Sequence, residues 1–250
     1  EYLDWLTRSN KWYRLQAQRM LLQMGDPSII PSVEEILRSN SDPVVQLHAL
    51  YLIDGLGGLN AAHVRTALQS PEPGLREHAL QLAENFPELL ADVIRLKDDP
   101  SARVVMQTAL SLGNFTSDQV IPALGDILNK NYKDHWMRMA VLSSEPGSSM
   151  ALLKYLDGKT SFFESWDGDK QKLLHDFTYI TAARNDESSL LALVNEFERI
   201  PADNQASIWK GLAAGLKRGE TTLTDKVKAR IGKITETADT AVKEALAEVL

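Results

Sequence analysis

Two histidines and two arginines recur at fixed places along this chain. His48 stands one residue before Ala49, and His78 one residue before Ala79. Arg14 and Arg76 stand three residues before Ala17 and Ala79. Histidine is the commonest metal ligand and a proton carrier near neutral pH, so a repeated histidine invites a metal or acid–base reading. The spacing argues against it. Packed neighbouring helices hold equivalent residues about 10 Å apart, whereas a metal holds an imidazole nitrogen at about 2 Å. His48 and His78 are therefore read as repeat-position histidines that bond a neighbouring loop, and His135 stands elsewhere in its helix. A repeated arginine suits a different task. Its planar fork can tie one helical pair to the next through a carboxylate or helix-end carbonyls. Arg14 and Arg76 are assigned that inter-repeat role.

Other chemistry-bearing residues have plainer readings. Lys226, Arg230 and Lys233 form a basic stripe at i, i+4 and i+7, but Glu220, Asp225 and Glu236 flank it, which describes a solvated face. Ser143, Ser144, Ser148 and Ser149 cluster at a helix break without a G-x-S-x-G frame or a paired histidine. Gly55 to Gly58 follow a helix and no strand, so they read as a helix stop and not as a phosphate loop. No nucleophile, base and orienting group come together. The segment is read as non-catalytic, with no catalytic, cofactor-binding or metal-binding residue of its own.

The elements behind these residues repeat. In Asp42 to Gly57, DPVVQLHALYLIDGLG, Asp42 is placed to cap a helix whose first turn accepts Pro43. Val45, Ala49, Leu52 and Ile53 fall on one helical face. The same grammar surrounds Ala17, Ala79, Ala109 and Ala140, at spacings of 32, 30, 30 and 31 residues. A period of that size built from paired helices marks an α-solenoid, an all-α superhelix of about 8 helical pairs. The pairs cannot bury their apolar faces alone, so they stack. Inner helices are expected over Lys11–Met24, Asp42–Leu56, Pro73–Asn85, Asp99–Leu112 and His135–Ser143, with Ser28–Arg38, Asn60–Gln69, Pro87–Lys97 and Ser117–Leu128 outside them. A helix near Ser149–Leu156 follows. The register then weakens, and Asp157–Asp169 reads as a long loop or an atypical short helix. Further helices are expected over Lys170–Arg184, Glu187–Arg199, Ala202–Lys217, Thr224–Thr237 and Asp239–Leu250. Residues 1–250 thus read as one array, regular over 1–156 and irregular over 157–250.

Three columns follow from the repeat. Tyr13, Val45, Leu75, Val105 and Trp136, four residues before each alanine, are core positions, as are Met20, Leu52, Leu82, Leu112 and Ser143, three after. The tryptophans are mostly core wedges, with Trp166 in the irregular loop. Positions two before, two after and five after the alanine share a face expected to line a concave groove. From it Arg19, Tyr51, Asp54, Gln81 and Asn114 are the candidates for partner contact.

Composition bounds the function. The net charge is −7, with 27 basic against 34 acidic residues. That argues against nucleic acid as the main partner, since phosphate binding needs clustered Lys and Arg. No apolar run reaches the length of a membrane-spanning helix, about 18 residues, so direct membrane insertion is not expected. Cysteine is absent, which removes disulfides, thiolate metal sites and covalent c-type haem attachment from this segment. The chain opens on Glu1 and reads as an excised segment or processed product, so a missing targeting signal carries no information.

The repeat grammar resembles HEAT repeats. More specifically, NKWYRLQAQRMLLQMGD, VVQLHALYLIDGLGGL, GLREHALQLAE and HWMRMAVLSS together resemble the helical region of a family of large bacterial membrane-bound dehydrogenases, best known in planctomycetes. Asn10, Trp12, Arg14, Ala17, Gln18, Arg19, Leu21 and Leu22 match the first motif of that family, with Lys11 in place of Gly and Tyr13 in place of Trp. His48, Ala49, Leu50, Gly55, Leu56 and Gly57 match the second, with Tyr51 for Trp. Arg76, Glu77, His78, Ala79 and Leu80 match the third. The resemblance covers residues 1–156 well and the remainder by helical character alone. It implies a scaffold between a quinone-enzyme-like β-propeller and a cytochrome-c-like domain, in the periplasm or cell envelope. Haem c and a quinone would lie elsewhere in the parent oxidoreductase, since this segment has neither a propeller nor C-x-x-C-H. Its partners would be neighbouring domains of the same polypeptide or another protein. The alternative is a free-standing HEAT module that binds a protein or peptide with no redox context.

Overall fold

The computed structural model describes residues 1–160, 162–184, 186–197, 200–220, 222–238, 240–247 and 249. Arg199, Asp239 and Leu250, which end or begin helices expected from the sequence, lie outside this set. Among the described residues the chain is all-helical, with sixteen α-helices and no strand. It divides into two compact units, Glu1–Phe115 and Thr116–Leu250.

The first unit contains α1 (Tyr2–Leu6), α2 (Lys11–Met24), α3 (Ile30–Ser39), α4 (Pro43–Gly55), α5 (Ala61–Leu68), α6 (Pro73–Ala83), α7 (Leu90–Arg95) and α8 (Ala102–Leu112). Starts and stops follow local chemistry. Asn10 accepts a hydrogen bond from the Trp12 amide at 2.9 Å and Asp42 from the Val44 amide at 2.8 Å, each satisfying an amide that the helix itself leaves unpaired. Pro43 and Pro73 occupy first turns. The α4 helix ends in a Schellman motif: Gly57 turns left-handed at φ 76°, its amide bonds Asp54 O, and the Gly58 amide bonds Ile53 O. Gly57 is thus the residue that stops the helix, while Gly55 still belongs to it. The expected outer helix Pro87–Lys97 is shorter than its apolar pattern suggested. Only Leu90–Arg95 is α-helical, between 3-10 turns at Pro87–Leu89 and Leu96–Asp98.

Helices pack in a regular order here. α1 packs on α2, α3 on α4, α5 on α6 and α7 on α8, while α2, α4, α6 and α8 contact one another in succession. Ala17, Ala49, Ala79 and Ala109 are fully buried at these crossings. Leu6, Leu21, Val33, Leu52 and Ile53 close the core around the first two. Burying one such side chain contributes about 1.5–3 kcal/mol.

The second unit contains α9 (Val120–Asn131), α10 (His135–Leu142), α11 (Met150–Thr160), α12 (Gly168–Ala183), α13 (Glu187–Phe197), α14 (Ala202–Arg218), α15 (Asp225–Thr237) and α16 (Thr240–Ala247). The stretch expected as a loop over Asp157–Asp169 is partly helical. α11 runs on to Thr160, and α12 begins at Gly168 because Asp167 caps it, accepting from the amides of Asp169 and Lys170 at 3.0 and 2.8 Å. The longest helices, α12 and α14, form the most extensive packing. Gly211 and Gly215 make it possible. A Cβ on Gly211 would stand 2.5 Å from His175 O, and one on Gly215 would stand 2.2 Å from Tyr179 O. Thr178 Oγ1 also reaches Ile208 O at 3.1 Å. Trp209 and Phe177 fill the adjoining core.

One sequence register is corrected in this unit. Trp136 is 71% exposed, the largest value among the big apolar side chains, and Ser143 is exposed as well. Neither is a core position. Met137 and Val141 are buried instead, so the repeat in α10 is centred one residue after Ala140. Trp12, also read as a core wedge, is 56% exposed. Trp12 and Trp136 hold the same place, the second residue of their helices, where the side chain points away from the packed face.

Candidate functional site: a polar ladder on the first unit

The side chains on α2, α4, α6 and α8 join into a ladder. His48 Nδ1 lies 2.6 Å from Gln18 Oε1. An amide oxygen only accepts, so Nδ1 carries the proton. The Tyr51 hydroxyl lies 2.9 Å from His78 Nδ1 and 3.5 Å from Gln81 Oε1. The Tyr51 ring meets the His78 ring edge-on at 5.6 Å. Gln81 Nε2 donates to Gln107 Oε1 at 3.2 Å, Gln107 Nε2 to Ser111 Oγ at 3.1 Å, and Ser111 Oγ to Glu84 at 2.7 Å. Arg103 pairs with Glu77 at 2.7 Å beside this line. His48 and His78 therefore bond side chains of the preceding helix in the α2, α4, α6 series, not a neighbouring loop. Side chains on successive helices come within reach of one another across the buried alanines.

Burial holds two members of the ladder toward their uncharged forms. Burial lowers the His48 pKa, and the Arg14 charge lowers it further against the opposing pull of Asp42. Burial raises the Tyr51 hydroxyl pKa, with Asp54 adding to it. Among the described residues, no three His, Asp or Glu side chains converge as a metal site.

Of the five contact candidates, the structure joins Tyr51 and Gln81. Arg19, Asp54 and Asn114 are exposed. Asn114 lies beyond α8, in the turn that follows it. Arg19 sits between Leu15 and Leu22, which are 44% and 37% exposed, with Trp12 on the same helical face at spacings of 3, 7 and 10 residues. The face thus passes from an apolar stripe on α2, interrupted by one cation, to the polar ladder on α4, α6 and α8.

The arginines are tied below this face. Arg76 Nη1 donates to Ser70 O at 2.8 Å and Pro71 O at 2.9 Å, while Nε and Nη2 grip both oxygens of Asp99 at 2.8 Å. Asp99 also accepts from the Ser101 amide, at the start of α8. Arg14 reaches Arg8 O and Ser9 O at the same offsets, and its buried Nε has no hydrogen-bond partner among the described residues. Arg138 repeats the geometry in the second unit. It donates to Tyr132 O and Lys133 O, six and five residues before it, and to Asp176 at 3.0 Å. Arg138 falls out of register when α10 is aligned on Ala140. The signal was present, since Arg138 stands three residues before the buried Val141, as Arg14 and Arg76 stand before their alanines. Gln46 serves the same end with an amide, donating to Asn40 O at 2.9 Å.

The plainer motifs stay plain. Lys226 and Lys233 are exposed, Lys226 lies 4.0 Å from Glu187, and Arg230 bonds Asn195. Ser144 and Ser148 hydroxyls donate to Val141 O and Ser144 O in the turn after α10. No helix among the described residues is long and apolar enough to cross a membrane. Compared with known proteins, the chain matches neither a protein-family model nor a curated protein sequence.

Proposed function

We propose that this chain is a non-catalytic scaffold of HEAT-type helical repeats, an α-solenoid that holds a protein partner against the inner-helix face of its first unit. The observation that carries the reading is the composition of that face. An exposed apolar stripe of Trp12, Leu15 and Leu22 borders a hydrogen-bonded ladder that fixes Tyr51 and Gln81. Aromatic and aliphatic anchors beside ordered polar groups are what a protein interface uses. The repeat reading is supported by buried alanines about 30 residues apart and by the arginine tie at one position of α2, α6 and α10. In the redox setting implied by the sequence resemblance, the partner is a neighbouring domain of the same polypeptide. That domain is a propeller dehydrogenase or a cytochrome-like electron acceptor in the periplasm or cell envelope, and haem and quinone chemistry belong to it.

Titration of the 250-residue chain with the domains encoded on either side of it tests this. Joint alanine substitution of Arg19, Tyr51, Asp54, Gln81 and Asn114 should weaken binding at least about tenfold. Undiminished binding would reject the assigned face.

A further inference from the structure

The second unit carries a cleft of about 300 Å³ that the repeat does not explain. α11 forms one wall and presents Leu153, Lys154 and Asp157 from a single face. Phe163 and Trp166 also line it, their rings stacked at 5.4 Å and 30°. Glu196 lines the cleft from the end of α13.

The loop that carries the two rings is held by unusual means. Lys170 is 6% exposed, and its ammonium donates to Phe162 O, to Ser165 O at 2.8 Å and to Ser165 Oγ at 3.2 Å. It also sits 4.5 Å from the centre of the Phe162 ring. Burying an ammonium is costly unless its donors are satisfied, and here all three find acceptors. Asp167 fixes the far end of the loop, capping α12 and accepting from the Tyr132 hydroxyl at 2.8 Å. A wall fixed in advance binds without further ordering cost.

We propose that this cleft binds the side chain of an arginine presented by a partner polypeptide. A guanidinium can stack on an aromatic face and fork to a carboxylate in one pose, and the cleft offers Trp166 and Phe163 for the first contact and the exposed Asp157 for the second. Among the described residues that line it, Asp157 and Glu196 are acidic and Lys154 is basic. The net charge of −7 favours a basic partner over an acidic one. The site lies in the second unit and shares no residue with the first unit's face, so either assignment can fail alone.

Calorimetric titration of the whole chain at low salt tests it, using blocked Gly-Arg-Gly, the uncharged isostere Gly-citrulline-Gly and Gly-Glu-Gly. The arginine peptide should bind at least about tenfold tighter than the citrulline peptide, a difference of about 1.4 kcal/mol. Asp157→Asn, at an exposed position that leaves the fold intact, should weaken arginine binding about fivefold or more with an unchanged circular dichroism spectrum. Trp166→Ala should abolish it. Equal binding of the citrulline peptide, preference for the glutamate peptide, no effect of Asp157→Asn, or no arginine binding at millimolar concentration would each overturn the proposal.

Discussion

Asp99→Ala is the sharpest test of how the first unit is held together. The Asp99 side chain is 4% exposed and that of Arg76 10%. Their contact is a two-pronged fork at 2.8 Å on both prongs, and Arg76 also holds the carbonyls of Ser70 and Pro71. Removing the carboxylate leaves a buried guanidinium without its counter-charge and strips the Ser101 amide of its acceptor. Breaking one partner of a buried pair costs about 3–5 kcal/mol, whereas an exposed pair costs 1 kcal/mol or less, to order of magnitude. The buried figure applies to this pair. Urea denaturation followed by circular dichroism, with hydrogen exchange of α6 and α8 amides to locate the loss, measures it. Arg76→Ala should be similarly destabilising, and the double variant should cost less than the sum by about 0.5–3 kcal/mol. Single losses under about 1 kcal/mol that simply add would refute the reasoning, because they would describe a solvated pair.

Three further outcomes are expected. Ala49→Asp or Ala79→Asp buries an unpaired carboxylate at a position with no exposure, and several kcal/mol of stability should be lost in a thermal melt. Gly215→Ala sets a methyl group 2.2 Å from Tyr179 O, a backbone atom that cannot swing aside, so the α12–α14 packing should loosen by about 1–3 kcal/mol; an unchanged melting temperature would show that the helices separate freely. The third concerns pH. The pKa of His48 in the folded chain lies below its usual 6.5. The unfolded chain therefore binds more protons in the interval beneath about pH 6.5, and the stability contributed by neutral His48 is complete above it and lost as pH falls through the folded value. His48→Asn keeps a donor for Gln18 but cannot titrate, so its stability curve should be flatter than the parent's below pH 6.5; parallel curves would exclude His48 as a contributor.

How much of this was legible in advance depended on the scale of the interaction. Asp42 and Pro43, or Gly57, act within a few residues, so helix starts and stops could be read directly. Ala17, Ala49, Ala79 and Ala109 announced buried crossings because only a small side chain suits a close approach repeated every turn of the pattern. α10 misled for an equally definite reason. Alanine marks the register in α2, α4, α6 and α8, but in α10 Arg138 and its two carbonyl bonds set it, and they place Val141 where alanine stands in the others. The ladder was only half legible. Tyr51 and Gln81 could be put on one face, but their bonds to His78 and Gln107 depend on the separation of whole helices.

The sequence by itself determined that this chain is helical, where most helices begin, and which small residues lie at their crossings, because these follow from hydrogen bonds and side-chain volumes within one or two turns. Only the tertiary structure decided that Trp12 and Trp136 face outward, that Lys170 is buried to pin a loop, and that Phe163 and Trp166 stack over a cleft. A helix offers several flanks with nearly equal apolar content, and which flank is covered depends on a neighbour brought in by contacts from distant parts of the chain.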